Sequence, residues 1–95
     1  MKEAQLEAKI VAHCRLHGVW CRKFSSPNAR GVPDRILAKN GKVMFLEIKA
    51  EGKRPTALQF REMGILVDHG VLAVWVDDYH DAVERIDDFF AGDGV

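Results

Sequence analysis

The dipeptide Asn40-Gly41 most constrains how this chain of 95 residues can fold. It separates two strand-like runs, and Asn-Gly in that position is the strongest short-range signal for a two-residue β-hairpin turn. Such a turn places Lys39 opposite Lys42 and thereby fixes the partner of every other residue along the two strands. Asp34 then falls directly opposite Glu47, with Cβ atoms roughly 4.5–5.5 Å apart.

Two carboxylates that face each other on neighbouring strands destabilise a sheet unless a cation lies between them. Hard divalent cations such as magnesium prefer oxygen ligands of this kind. Lys49 follows Glu47 by two positions on the same strand, so its side chain leaves the same face of the sheet. The sequence therefore predicts a divalent metal site with Asp34 and Glu47 as ligands and an ammonium group beside them.

The remaining secondary structure follows from hydrophobic periodicity and turn residues. The predicted order is α-β-β-β-α-β-α, with helices at 3–17, 55–69 and 79–90, strands at 19–24, 34–39, 42–50 and 71–76, and a fraying tail at 91–95. The helix before the last strand is long enough for a crossover that makes the last two strands parallel. Both faces of the hairpin are largely apolar, so we expect its strands to be central and covered on both sides. Residues 1–95 are thus expected to form one α/β domain with a mixed sheet flanked by helices.

The net charge of zero conceals an uneven distribution. Residues 15–61 hold eleven Lys and Arg against three acids, whereas residues 62–95 hold one Arg against nine acids. This asymmetry suggests a polyanionic partner, although solvated loops explain it equally well. No apolar run is long enough to span a membrane, and the acid-containing N-terminal segment is no signal peptide. The two cysteines form no disulfide-framework pattern, which indicates a reduced, cytoplasmic setting.

The spacing of Pro33-Asp34 and Glu47-Ile48-Lys49 resembles the PD-(D/E)XK nuclease signature. The wider context is Gly31-Val32-Pro33-Asp34-Arg35, then Phe45-Leu46 before Glu47, then Gln59 on the next helix. In this context the chain resembles, over nearly its whole length, the small stand-alone phage form of the VRR-NUC family. The resemblance implies a restriction-endonuclease-like core and a homodimeric endonuclease that uses Mg²⁺ or Mn²⁺ and no organic cofactor. It also implies branched DNA as the substrate, Holliday junctions above all.

The resemblance implies roles for individual residues as well. Asp34 and Glu47 would bind the metal, with the backbone carbonyl of Ile48 as a third ligand. Lys49 would hold the attacking water and offset negative charge in the transition state. A plainer interpretation is an ion pair between Glu47 and Lys49 on a solvated sheet edge, but the apolar residues on both sides argue against an edge.

A further acid is implied on the first helix. Glu7 is favoured because it keeps step with the apolar stripe that faces the sheet, whereas Glu3 fits a solvated first-turn acid. Gln59 is a site residue under the resemblance and an ordinary surface residue otherwise. Contacts to DNA phosphates are expected from Lys23, Ser25, Ser26, Arg30, Arg35, Lys53 and Arg54. Arg35 points to the face opposite Asp34, so its role is the least defined.

Two other patterns point to different chemistry. His13 and His17 are one helical turn apart and could chelate zinc with Cys14 and Cys21, but Cys14 points elsewhere and no paired CxxC motif exists. His80-Asp81 resembles a phosphohydrolase dipeptide that lacks its partner histidines. Neither pattern displaces the metal site at the hairpin.

The alternatives for function are a nicking, flap-trimming or restriction-type nuclease and a non-catalytic DNA-binding module that keeps the fold. A binding module would be expected to lack one of the acids or the lysine, and this chain has Asp34, Glu47 and Lys49.

Overall fold

The computed structural model describes residues 1–91, which form seven helices and strands. In chain order these are α1 (Glu3–Leu16), β1 (Trp20–Lys23), β2 (Arg35–Lys39), β3 (Lys42–Ile48), α2 (Ala57–Asp68), β4 (Leu72–Val76) and α3 (Tyr79–Phe90). The predicted order is confirmed, with ends that shift by two residues or fewer. The fraying tail expected at 91–95 lies, apart from residue 91, outside the described residues. None of the helices within residues 1–91 is long and apolar enough to cross a membrane.

The four strands form one mixed sheet in the order β1-β2-β3-β4. The β1–β2 and β2–β3 pairs are antiparallel, and the crossover through α2 makes β3 and β4 parallel as expected. This is the restriction-endonuclease-like α/β arrangement predicted from the sequence.

The hairpin turn has the predicted geometry. Asn40 and Gly41 both have positive φ angles, 52° and 81°, as a type I′ turn requires. Lys39 pairs with Lys42, and the same register continues to Arg35 opposite Leu46. The next position along each strand belongs to the two predicted metal-binding acids.

Helices α1 and α3 cover one face of the sheet and enclose the main apolar core. This core consists of Leu6, Ile10, Cys14, Val19, Cys21, Leu37, Met44, Leu46, Ile48, Val76, Ala82, Ile86 and Phe90. Complete burial of a side chain of the Leu or Ile type contributes about 1.5–3 kcal/mol before conformational entropy is counted. This layer holds β2 and β3 in place beneath the predicted site.

The opposite face is covered only in part. Helix α2 packs mainly on β4, where the ring of Phe60 stands at 90° to that of Trp75 with centroids 6.3 Å apart. Val43 on β3 is 39% exposed and Phe45 is half-buried. The prediction that the hairpin strands are covered on both sides is therefore wrong. The strands are central in the sheet, but the α2 crossover leads to a position above β4 rather than above the hairpin.

Candidate active site

Asp34 sits at the start of β2, where two neighbouring strands hold it. Its backbone carbonyl accepts a hydrogen bond of 2.9 Å from the Phe24 amide beside it. Its side-chain Oδ2 accepts a second bond of 2.9 Å from the backbone amide of Ile48 on β3. The preceding Pro33 is buried and needs no ladder partner for its nitrogen. The Asp34 carboxylate is thus fixed against the end of β3.

Glu47 is a buried acid, with only 1% of its surface exposed. Its Oε2 lies 3.4 Å from Nζ of Lys49. Its Oε1 is buried and has no hydrogen-bond partner among residues 1–91. The pKa of the Glu47 carboxyl is raised from 4.5 to about 7, mainly by burial and then by the Asp34 carboxylate, while the Lys49 ammonium opposes the rise. The strand is interior, so the interpretation of a solvated edge pair does not hold.

The pair of carboxylates fits a divalent cation. Glu47 Oε1 is a free oxygen ligand in a buried position, and the repulsion between the two acids would be relieved by positive charge. Within the described part of the chain, no group of three or more His, Cys, Asp or Glu side chains could hold a metal ion. A cation bound here would need further oxygens from the main chain, water or a substrate phosphate, which is how Mg²⁺ usually binds.

Lys49 completes the constellation. Its side chain is 17% exposed, and its backbone amide donates a hydrogen bond of 2.9 Å to the carbonyl of Val76 at the end of β4. The β3–β4 ladder thereby extends one position beyond the strands and fixes the lysine beside Glu47. An acid pair with an adjacent ammonium group can bind a cation and a phosphate at the same place.

Comparison with known proteins gives the family. "Putative nuclease p44" from Acyrthosiphon pisum secondary endosymbiont phage 1 is 41% identical over 78 residues, covering 81% of this chain and 84% of the phage protein. A solved structure described as a VRR_NUC domain matches with a TM-score of 0.85 at 23% identity, covering 95% of this chain and 99% of its own. The chain belongs to the family of this phage nuclease, and its fold is that of a VRR_NUC domain. It is a small, phage-type member, although no family model matches its sequence.

The further acid expected from α1 has two candidates, Glu7 and Glu3. Oε2 of Glu7 accepts a hydrogen bond of 2.8 Å from Nε of Arg35. Arg35 lies on the helix-covered face, in register with Leu46, as the sequence predicts. Glu3 is exposed, and its charge contributes to the raised pKa of Glu47. The structure thus ties Glu7 to Arg35 and leaves Glu3 exposed, and a role for either acid at the site stays a prediction.

Gln59 is occupied by helix capping. Its side-chain Oε1 accepts a hydrogen bond of 2.8 Å from the backbone amide of Thr56. Its backbone amide donates a hydrogen bond of 3.2 Å to Oγ1 of Thr56. This reciprocal pair is a capping box, which stabilises the start of α2. A role for the Gln59 side chain in the site stays a prediction.

The residues expected to contact DNA differ in their surroundings. Lys23, Ser25, Arg30, Lys53 and Arg54 are exposed, whereas Ser26 and Arg35 are half-buried. Arg35 is bound by Glu7 on the far face of the sheet. Arg54 lies over the rings of Phe60 and Trp75. Nothing in the sequence singles out Trp75, because its place beside Glu47 depends on the parallel register of β4 with β3.

The residues of the zinc pattern make other contacts. Nε2 of His13 lies 2.8 Å from Oδ1 of Asp87, which joins α1 to α3. The rings of His13 and His17 are tilted by 37° to each other, with centroids 4.2 Å apart. Cys14 and Cys21 are buried free thiols. These side chains contribute to packing between α1, α3 and β1.

Proposed function

We propose that this VRR-NUC protein is a metal-dependent, structure-specific DNA endonuclease that hydrolyses phosphodiester bonds. The single observation that carries the proposal is the buried Oε1 of Glu47, which is without a partner in residues 1–91 next to a second carboxylate and an ammonium group. A buried charged oxygen without a partner is costly to folding, and such sites are typical of function rather than of stability.

Each residue of the site has a distinct role in this proposal. Asp34 and Glu47 would hold Mg²⁺ or Mn²⁺, together with the Ile48 carbonyl and one acid of α1. When bound, the cation would acidify a water molecule and polarise the phosphate. Lys49, fixed by the β4 ladder, would orient the attacking water and stabilise the negative charge that develops on the phosphate oxygens. The hydrogen bond from Ile48 to Asp34 would keep that carboxylate oriented.

The acid from α1 is Glu3 in this proposal, with Glu7 as the alternative. Glu3 lies in the first turn of the helix and acts on Glu47 through its charge. Glu7 would instead hold Arg35 and so tie α1 to β2 directly behind Asp34. Gln59, if released from its cap, would assist from the start of α2.

DNA is the proposed partner because exposed cations lie in the chain segments next to the site residues. Arg30 lies in the loop before Asp34, and Lys53 and Arg54 lie in the loop after β3. Lys23, at the end of β1, is in register with Arg35 and leaves the face of the sheet opposite the site. Contacts of this kind to phosphates are independent of sequence and position the backbone. They fit an enzyme that recognises the shape of DNA, so branched DNA, including four-way junctions, is the proposed substrate.

A homodimer is proposed for the active form. The partly covered face of the sheet and the adjoining helix expose apolar side chains, with Val43, Leu58, Ile65 and Val67 between 39% and 53% exposed. Exposed apolar surface of this kind marks contact surfaces. A second copy would bury it and would bring two sites to one branched substrate.

The test is cleavage of a matched set of labelled substrates: four-way junction, flap, nicked duplex and linear duplex. We expect cleavage of the junction with Mg²⁺ or Mn²⁺ and none in chelator. Preferential cleavage of flap or linear duplex would move the function to the flap-trimming or restriction alternatives. Binding of DNA without cleavage under any metal would instead indicate the non-catalytic module.

A further inference from the structure

Arg54, Phe60 and Trp75 form a cation–aromatic cluster from three separate segments of the chain. The guanidinium carbon of Arg54 lies 5.9 Å from the ring centroid of Phe60 and 5.6 Å from that of Trp75. The two rings are perpendicular. A guanidinium that contacts two aromatic rings at once is held in a defined orientation rather than free in solvent.

The cluster is open to solvent. Phe60 is 39% exposed, Arg54 is exposed and Trp75 is half-buried. The two rings line a groove of about 410 Å³ between α2, β4 and α3. Two acids also line this groove, but Asp77 accepts a hydrogen bond of 3.1 Å from the Gly52 amide and Asp81 is paired with Arg85 at 3.0 Å. The acids are therefore engaged, and a planar ligand could reach the aromatic rings.

The cluster adjoins the candidate active site. Trp75 on β4 is the direct partner of Glu47 on β3, so the two side chains leave the same face of the sheet on neighbouring strands. Neighbouring strands lie about 4.8 Å apart. A nucleotide next to a phosphate bound at Asp34 and Glu47 would therefore lie within reach of these rings.

We propose that Arg54, Phe60 and Trp75 form a stacking site for an unpaired base next to the cleaved phosphate, an inference that rests on the proposed nuclease function. Aromatic rings and guanidinium groups stack on any base, because every base has a π face. A base inside an intact duplex cannot offer that face. The cluster would thus favour DNA that is unpaired or distorted at the cleavage position, which gives the protein a physical means of selecting structure without reading sequence.

The test uses the two tryptophans of the chain. The Trp20→Phe variant leaves Trp75 as the sole tryptophan and is titrated with a short oligothymidylate in chelator, so that no cleavage occurs. We expect quenching of Trp75 fluorescence as the strand binds. The reverse variant, Trp75→Phe, reports on Trp20, which contacts Arg22 at 5.0 Å at the far end of the sheet. Its fluorescence should stay unchanged.

Three substitutions in the Trp20→Phe background separate stacking from charge. Arg54→Ala and Phe60→Leu are each expected to weaken strand binding by about fivefold to tenfold, since base stacking is lost. Arg54→Lys keeps the positive charge but loses the planar guanidinium group. Its affinity for the strand should therefore lie between those of Arg54→Ala and the parent. Arg61→Ala removes a positive charge from the exposed surface of α2, the helix that carries Phe60, and should change strand binding less than about twofold. Melting temperatures by circular dichroism would confirm that each variant is folded.

Strand binding that leaves Trp75 fluorescence unchanged would overturn the stacking site. Equal quenching by intact duplex, or equal losses for Arg54→Ala and Arg61→Ala, would overturn it as well. These results are independent of the nuclease assay, because the titration contains no divalent metal. A protein that cleaves no DNA but quenches with single strands would refute the proposed nuclease and keep the stacking site.

Discussion

The side chain of Asp34 and the backbone amide of Ile48 form a hydrogen bond of 2.9 Å that joins the start of β2 to the end of β3. The bond anchors the Asp34 carboxylate to the backbone next to Glu47, because Glu47 directly precedes Ile48 in β3. It also means that the geometry of the acid pair depends on the sheet rather than on a flexible loop. Substitutions that keep this bond can therefore test the chemistry without disturbing the fold.

Asp34→Asn is the first of these. The amide oxygen of Asn can still accept from Ile48, so we expect the melting temperature to stay within a few degrees of the parent. Cleavage should fall by at least about 100-fold, since one anionic metal ligand is lost, while DNA binding should be equal or tighter. Cleavage kinetics and fluorescence anisotropy measure the two effects. Turnover at the parent rate would contradict the assigned role of Asp34.

The raised pKa of Glu47 predicts how the stability of the metal-free protein depends on pH. The pKa of the Glu47 carboxyl is about 7 in the folded protein and 4.5 ordinarily. Between pH 4.5 and pH 7 the folded state therefore keeps a proton on Glu47 that the unfolded state has lost. The free energy of unfolding should therefore fall as pH rises from about 4.5 to 7, by up to about 2–3 kcal/mol, and level off above.

Glu47→Gln should remove most of that dependence. In chelator at pH 8 the variant is expected to be more stable than the parent by about 1–3 kcal/mol, and at pH 4.5 the two should agree. Urea unfolding across this pH range measures the difference. Glu84→Gln, at an exposed position on α3, is the matched control and should follow the parent at every pH. A parent curve that rises between pH 5 and 7 would show that burial of Glu47 is not the dominant effect.

Glu3→Gln and Glu7→Gln separate the two acids of α1. Glu7→Gln breaks a half-buried ion pair with Arg35 and should lower the free energy of unfolding by about 0.5–2 kcal/mol. Glu3→Gln should leave stability nearly unchanged and reduce cleavage and metal affinity. Thermal unfolding and cleavage at varied Mn²⁺ concentration distinguish these outcomes. The reverse pattern, with Glu7→Gln losing metal affinity, would restore the assignment that the sequence favoured.

Gln59→Glu tests whether this side chain has a role beyond the cap. Glutamate also completes a capping box with Thr56, so stability should be unchanged within about 0.5 kcal/mol. Cleavage should fall if the amide contacts water, phosphate or a metal ligand. Thr56→Ala, which should cost about 1 kcal/mol through the cap alone, controls for effects transmitted by the helix. Parent-like cleavage by Gln59→Glu would limit this residue to structure.

Gly31→Ala should disturb the loop that leads to Pro33 and Asp34. Gly31 has a φ of +82°, and a Cβ atom would lie 2.9 Å from Cγ and 3.0 Å from the carbonyl oxygen of Leu58. We expect a loss of about 1–3 kcal/mol in unfolding free energy and a lower cleavage rate. Gly18→Ala, with a φ of +71° and open space around it, should cost about 1 kcal/mol and leave cleavage unchanged. Equal effects of both substitutions would show that the Leu58 contact is unimportant.

The features that could be predicted from the sequence are those that depend on local interactions. The Asn40-Gly41 turn alone fixes the pairing of β2 with β3, and the acid pair follows from that pairing. The position of α2 above β4 depends on tertiary packing, so the open face beside Val43 and Phe45 was not foreseeable from strand patterns. Likewise, the choice between Glu3 and Glu7 depends on where α1 meets Arg35, which is a contact across 28 positions of sequence.

The two-residue turn also limits how such proteins can diverge. A shift of one position in the pairing of β2 with β3 would turn the side chains of a whole strand to the opposite face of the sheet, because side chains alternate along a strand. Leu37 would then face outward and the acid of β2 inward. Insertions and deletions in relatives should therefore occur mainly in the 24–33 loop and after β3, where a change in chain length leaves the pairing of β2 with β3 intact.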